Sequence, residues 1–113
     1  MKNTIKEADV LRQVLDYLAL VGIFSWRTNN TGIYDPSKKR FRSFSGLRGV
    51  SDVLGILNDG RLLAVECKRP GGKLTVEQEV FQQQVRDRGG VAFVATSLEE
   101  LRTGLQGANY GSN

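Results

Sequence analysis

Histidine is absent from this 113-residue chain. Its absence excludes histidine general bases, histidine metal ligands and Ser-His-Asp hydrolysis together. A single cysteine, Cys67, allows no internal disulfide and no cysteine-rich zinc site. Any metal must therefore sit on oxygen ligands, which favours Mg²⁺ or Mn²⁺. No stretch approaches the ~20 apolar residues of a spanning helix, and the first residues lack a signal-peptide apolar run. The expectation is a protein without a membrane partner, in the cytoplasm of a bacterial or virus-infected host cell. A G-x-x-x-x-G-K-[ST] loop is also missing, which ranks enzymes of phosphorylated small molecules last.

What is present is ordinary for a globular chain, with 40% apolar and 25% charged residues, so disorder is not expected. The length suits one domain, placed at residues 1–106, with a Gly, Asn and Ser tail over 107–113 expected to fray. The net charge of +4 points mildly to an anionic partner.

Periodicity gives the elements. Thr4-Ile5-Lys6-Glu7 reads as a capping box opening a helix to about Val21, with Ile5, Ala8, Leu11, Val14, Leu15 and Leu18 inward and Gly22 ending it. Phe24–Arg27 reads as a short strand, and the polar, basic stretch from Asn29 to Ser45 as a loop or loose hairpin. Asp52–Leu57 and Arg61–Lys68 are apolar runs joined by Asn58-Asp59-Gly60, hence an antiparallel hairpin central in a sheet. Thr75-Val76-Glu77-Gln78 caps a second helix with Val76, Val80, Phe81 and Val85 inward, stopping at Gly89-Gly90. Val91–Ala95 reads as a fully buried strand. Ser97-Leu98-Glu99-Glu100 then caps a last helix with Leu98, Leu101 and Leu105 inward. The order predicts an α/β fold, α-β-β-β-α-β-α, with a central mixed four-stranded sheet flanked by helices.

The chemistry concentrates in Asp52, Glu66 and Lys68, an acid followed after thirteen residues by Glu-x-Lys. Two hairpin registers are available. A two-residue Asp59-Gly60 turn pairs Asn58 with Arg61 and leaves Asp52 and Glu66 on opposite faces. A three-residue loop with Gly60 left-handed pairs Leu57 with Arg61 and sets Asp52 opposite Glu66, with Cβ atoms ~4.5–5.5 Å apart. Two such acids in apolar strands repel and suffer desolvation unless a cation joins them. Lys68 shares Glu66's face and can reach a water or phosphate oxygen beside that cation. Singly, an Asp at a strand start or a Glu-x-Lys at a strand end is usually a solvated terminus; the joint pattern is harder to dismiss.

Gly49-Val50-Ser51-Asp52-Val53-Leu54-Gly55, Ala64-Val65-Glu66-Cys67-Lys68-Arg69-Pro70-Gly71-Gly72-Lys73-Leu74-Thr75 and Glu77-Gln78 together resemble the VRR-NUC family of the PD-(D/E)xK nuclease superfamily. Glu7 and the Leu11–Leu18 helix, Trp26-Arg27-Thr28-Asn29 and Gly89-Gly90-Val91-Ala92-Phe93-Val94 extend the resemblance over nearly the whole chain. Ser51 stands where the motif has proline. The resemblance implies a restriction-endonuclease-like core and Mg²⁺- or Mn²⁺-dependent hydrolysis of DNA. Asp52, Glu66 and the Cys67 backbone carbonyl would be metal ligands, Lys68 the base or charge stabiliser, and Gln78 and Glu7 accessory residues on helices. The family's short members resemble Holliday junction resolvases, which implies a branched-DNA substrate and a homodimer. Glu7 and Gln78 each also occupy the third helical position of a capping box, which accounts for them without any catalytic role.

Lys38, Lys39, Arg40, Arg42 and Arg48 lie between Ser37 and Gly49 with no acid among them, a candidate clamp on the phosphate backbone. The plain alternative is a solvated charge run, with Phe41 and Phe44 packing on the core. Arg69 and Lys73, around Gly71-Gly72, are further candidates for phosphate contact. No segment resembles a base-reading helix, so recognition of shape is expected. A different class of reading keeps the fold and the basic loop as a non-catalytic nucleic-acid-binding module; the intact acids and lysine argue against it.

Overall fold

A computed structural model describes residues 5–28, 33–42 and 47–108. Helix α1 (Glu7–Leu20) leads to strand β1 (Phe24–Arg27), then a small ribbon of β2 (Ile33–Asp35) and β3 (Arg40–Arg42). Strands β4 (Val53–Ile56) and β5 (Leu62–Cys67), helix α2 (Val76–Asp87), strand β6 (Val91–Ala95) and helix α3 (Leu98–Gly107) complete the order. The main sheet runs β1-β4-β5-β6. Its first two pairings are antiparallel, and β5 and β6 are parallel, connected through α2. This is the expected α/β arrangement with a mixed four-stranded sheet, and the loose hairpin is realised as the separate β2-β3 ribbon.

Alternation along β4 and β5 explains why the sheet is covered on both sides. Val53, Leu57, Leu63, Val65 and Cys67 turn to one face and pack with Val10, Val14 and Leu18 of α1 and Leu101 and Leu105 of α3. Ala64 turns to the other, where α2 lays down Phe81 and Val85 beside Ala92, with Leu54 and Val50 at the margin. Val10, Val14 and Leu18 are at most 1% exposed, so each contributes about 1.5–3 kcal/mol of apolar burial.

Several local expectations need correction. Helix α1 starts at Glu7 with Lys6 as its N-cap residue, and Asp9 supplies the acid, its Oδ2 accepting the Lys6 N–H at 3.1 Å. Thr4 lies outside the described residues. The start at Glu7 buries Val10, which is not among the residues expected inward, and leaves Ile5 and Ala8 exposed. In α2 the inward residues are Phe81, Gln82 and Val85, while Val76 and Val80 face solvent. The helix covers only the β5-β6 side of the sheet, and a narrow contact buries a narrow strip. Leu98 is likewise on the exposed side of α3, and Phe93 and Val94 of β6 are half-buried because β6 is an edge strand. Helix α3 extends through Gly107, and 109–113 of the tail lie outside the described residues.

Candidate active site

The hairpin between β4 and β5 fixes the site. Val53 pairs with Val65 and Ile56 with Leu62, a register that leaves Asn58, Asp59 and Gly60 as a three-residue loop. Gly60 takes φ +93°, and its N–H donates to Leu57 O at 2.8 Å, while Leu57 N–H donates to Arg61 O at 2.9 Å. Asp59 Oδ2 accepts from Arg61 Nε at 2.8 Å, and Arg61 Nη2 reaches Ala108 O at 3.0 Å, tying the hairpin to the end of α3. Continued by one residue, this register sets Asp52 opposite Glu66 on the α2 face of the sheet.

Backbone contacts orient Asp52. Its Oδ2 accepts the Cys67 N–H at 2.9 Å. Its carbonyl accepts the Thr28 N–H at 2.9 Å, and Thr28 Oγ1 donates to the Ser51 carbonyl at 2.7 Å. Thr28, unremarked as a site residue in the sequence, therefore anchors the strand end that carries the acid. Ser51 is fully buried with no partner for its Oγ.

Glu66 is the unusual group. It is 1% exposed in the interior of β5. Its Oε2 accepts from Gln78 Nε2 at 3.0 Å and lies 3.8 Å from Lys68 Nζ. Oε1 is buried without a hydrogen-bond partner. Burial pushes its carboxyl up to about 8, the neighbouring Asp52 charge pushes in the same direction, and Lys68 only partly opposes them. A buried carboxylate with one orphaned oxygen beside a second acid fits a divalent cation, which would offset both desolvation and repulsion. Among the described residues no three His, Cys, Asp or Glu side chains gather as a metal cluster, so the donors offered are two carboxylates plus main chain.

Gln78 caps its helix and contacts Glu66 at once. Its Oε1 accepts the Thr75 N–H at 2.9 Å as the reciprocal half of a capping box, while its Nε2 holds Glu66. Glu7, the first residue of α1 and not the third of a box, is exposed, but its charge raises the proton affinity of both Glu66 and Cys67. Cys67 turns its thiol into the core, where burial pushes it up to about 12, so it offers no thiolate nucleophile.

No protein-family model matches the chain, and comparison with curated proteins finds no significant match. The site therefore rests on its own geometry.

The basic candidates are more dispersed. Lys38 and Lys39 are exposed in the turn between β2 and β3, Lys39 with φ +52°. Arg40, Phe41 and Arg42 form β3, and Phe44 lies outside the described residues. Arg48, Arg69 and Lys73 are exposed. Gly49, beside Arg48, approaches α2 so closely that a Cβ there would lie 2.2 Å from Glu77 O and 2.7 Å from Gln78 N. That contact brings the loop before β4 against the helix start that holds Glu66; no local sequence pattern announces it.

Proposed function

We propose that this protein is a Mg²⁺- or Mn²⁺-dependent DNA endonuclease of the VRR-NUC type, with a restriction-endonuclease-like core and branched DNA as its substrate. The observation that carries this reading is the opposition of Asp52 and buried Glu66 across β4 and β5, with Glu66 Oε1 left unpartnered. Asp52, Glu66 and the Cys67 carbonyl would hold the cation. When bound, the cation lowers the pKa of water and offsets charge on the phosphate. Lys68 brings a positive charge to the same face, where it orients the attacking water and stabilises the oxyanion that develops. Gln78 keeps Glu66 in place, and Thr28 keeps Asp52 in place. A water nucleophile is consistent with a chain that has no histidine and a buried, fully protonated Cys67 thiol.

Cleavage of linear duplex, single strand, flap and four-way junction, each with Mg²⁺ and with Mn²⁺, tests the reading. Wild type should cut, the junction best, and Asp52→Ala should lose at least ~100-fold. Lys68→Ala should bind metal and cut slowly. Equal cutting by Asp52→Ala would remove the site. Symmetric cutting of a junction needs two copies, so a homodimer is part of the proposal; sedimentation showing a monomer with and without junction would remove that part.

A further inference from the structure

Phe24 and Trp26 of β1 are 68% and 39% exposed, and their rings lie 5.3 Å apart, tilted by 50°. Both sit on the face of the sheet that carries the acids, because Trp26 pairs with Leu54, which shares a face with Asp52. Helix α2 lies over β5 and β6, and on the β1-β4 part of that face Phe24, Trp26 and Ile56 are exposed among the described residues. Strand geometry places the Trp26 Cα about 8 Å from that of Asp52. Thr28, two residues beyond Trp26 and just past the end of β1, is bonded to the Asp52 backbone.

Resting on the nuclease reading, we propose that Phe24 and Trp26 form a stacking platform for an unpaired nucleobase of the strand being cut, next to the scissile phosphate. The substrate is thereby one with single-stranded character at the cut: a flap, a frayed junction or a free strand. An aromatic ring accepts any base, because every base has a π-face, so the platform selects unpaired structure without reading sequence. Charge favours this occupant. The chain's net charge is +4, and Lys68, beside Glu66, lies on the same face of the sheet, whereas Arg27 alternates to the opposite face. A second copy of the chain is the competing occupant, but two rings and an isoleucine are three residues against the roughly 20–30 a side that a specific protein interface uses.

Trp26 is the single tryptophan, so its emission reports the platform alone. The protein used is Asp52→Ala, which leaves the strand uncut. Single-stranded oligothymidylate should quench the emission, and an abasic strand of equal length should not. In fluorescence anisotropy, Trp26→Ala should weaken oligothymidylate binding about 5- to 100-fold and leave abasic binding unchanged. Trp26→Tyr should restore most of the loss, and Phe24→Ala should reduce both affinity and quenching. Unchanged emission at saturation, or equal weakening for both strands, would overturn the platform. So would a dimer in sedimentation that Trp26→Ala dissolves without changing strand affinity. The two readings fail separately: quenching without cleavage by wild type would sink the nuclease, and cleavage without quenching would sink the platform.

Discussion

Glu66 is a carboxyl group whose surroundings oppose its charge. Its carboxyl, ordinarily near 4.5, is raised to about 8 by burial first and by Asp52 second. Below about pH 4.5 it is protonated in both folded and unfolded chains and imposes no pH-dependent penalty. Between 4.5 and 8 the unfolded chain releases the proton and the folded chain keeps it, so stability falls as pH rises and levels off above about 8. Glu66→Gln removes that slope while retaining an acceptor for Gln78. In chelator, the variant's Tm should exceed that of wild type at pH 8 by at least ~4 °C, the shift that about 1 kcal/mol gives a domain of this size. The two should converge near pH 4. Mg²⁺ should then raise the wild-type Tm and leave the variant nearly unmoved, since only binding to the folded state stabilises it. Parallel melting curves across pH would show that Glu66 meets no such conflict.

At the level of elements, what could be read in advance was local. Gly60 at the end of Asn58-Asp59-Gly60 suits the left-handed residue of a three-residue loop, and that loop sets the register bringing Asp52 to Glu66. Thr75 and Gln78 cap their helix by contacts three residues apart, equally legible. Thr4-Ile5-Lys6-Glu7 fits the capping pattern, yet the helix starts at Glu7 with Lys6 as N-cap residue, a type that capping preference does not single out. Val76 and Val80 follow the helical period yet face solvent, because the breadth of sheet beneath α2 is a tertiary property. Gly49 was illegible for the same reason: its φ of +76° and its approach to Glu77 depend on elements far apart in sequence. Gly49→Ala should cost about 2–4 kcal/mol, combining left-handed strain with a displaced helix start. It should also slow cleavage more than the lost folded fraction explains, because Gln78 moves with that start. Gly60→Ala has equal backbone strain but nothing within 4 Å to meet, so it should cost only about 1–2 kcal/mol and spare the site. Urea unfolding and cleavage rates on both variants separate the two effects; equal costs would mean that the Gly49 approach is loose.

Across the whole molecule, charge decides how a small protein holds a long polyanion. The element order and mixed sheet followed from periodicity and turns, but how the basic residues are spread over the surface did not, because pattern along a chain carries no information about which loops share a side. Lys38, Lys39, Arg48, Arg69 and Lys73 are all exposed, in a turn of the β2-β3 ribbon, in the loop before β4 and beyond β5. Each phosphate neutralised releases counterions, so the slope of log K against log salt counts those in contact, at about −0.9 each on duplex DNA. If all five reach phosphates, the slope is about −4.5, and affinity falls roughly 500-fold between 50 and 200 mM salt. Replacing Lys38 and Lys39 together by alanine should flatten the slope by about 2 if the ribbon turn grips the backbone; replacing Arg69 and Lys73 should do the same if the loop after β5 does. A pair whose loss leaves the slope unchanged is a solvated charge run and not part of the clamp. Because the platform at Trp26 adds affinity without charge, Trp26→Ala should lower single-strand binding at every salt concentration and leave the slope intact, which separates the stacking contribution from the electrostatic one.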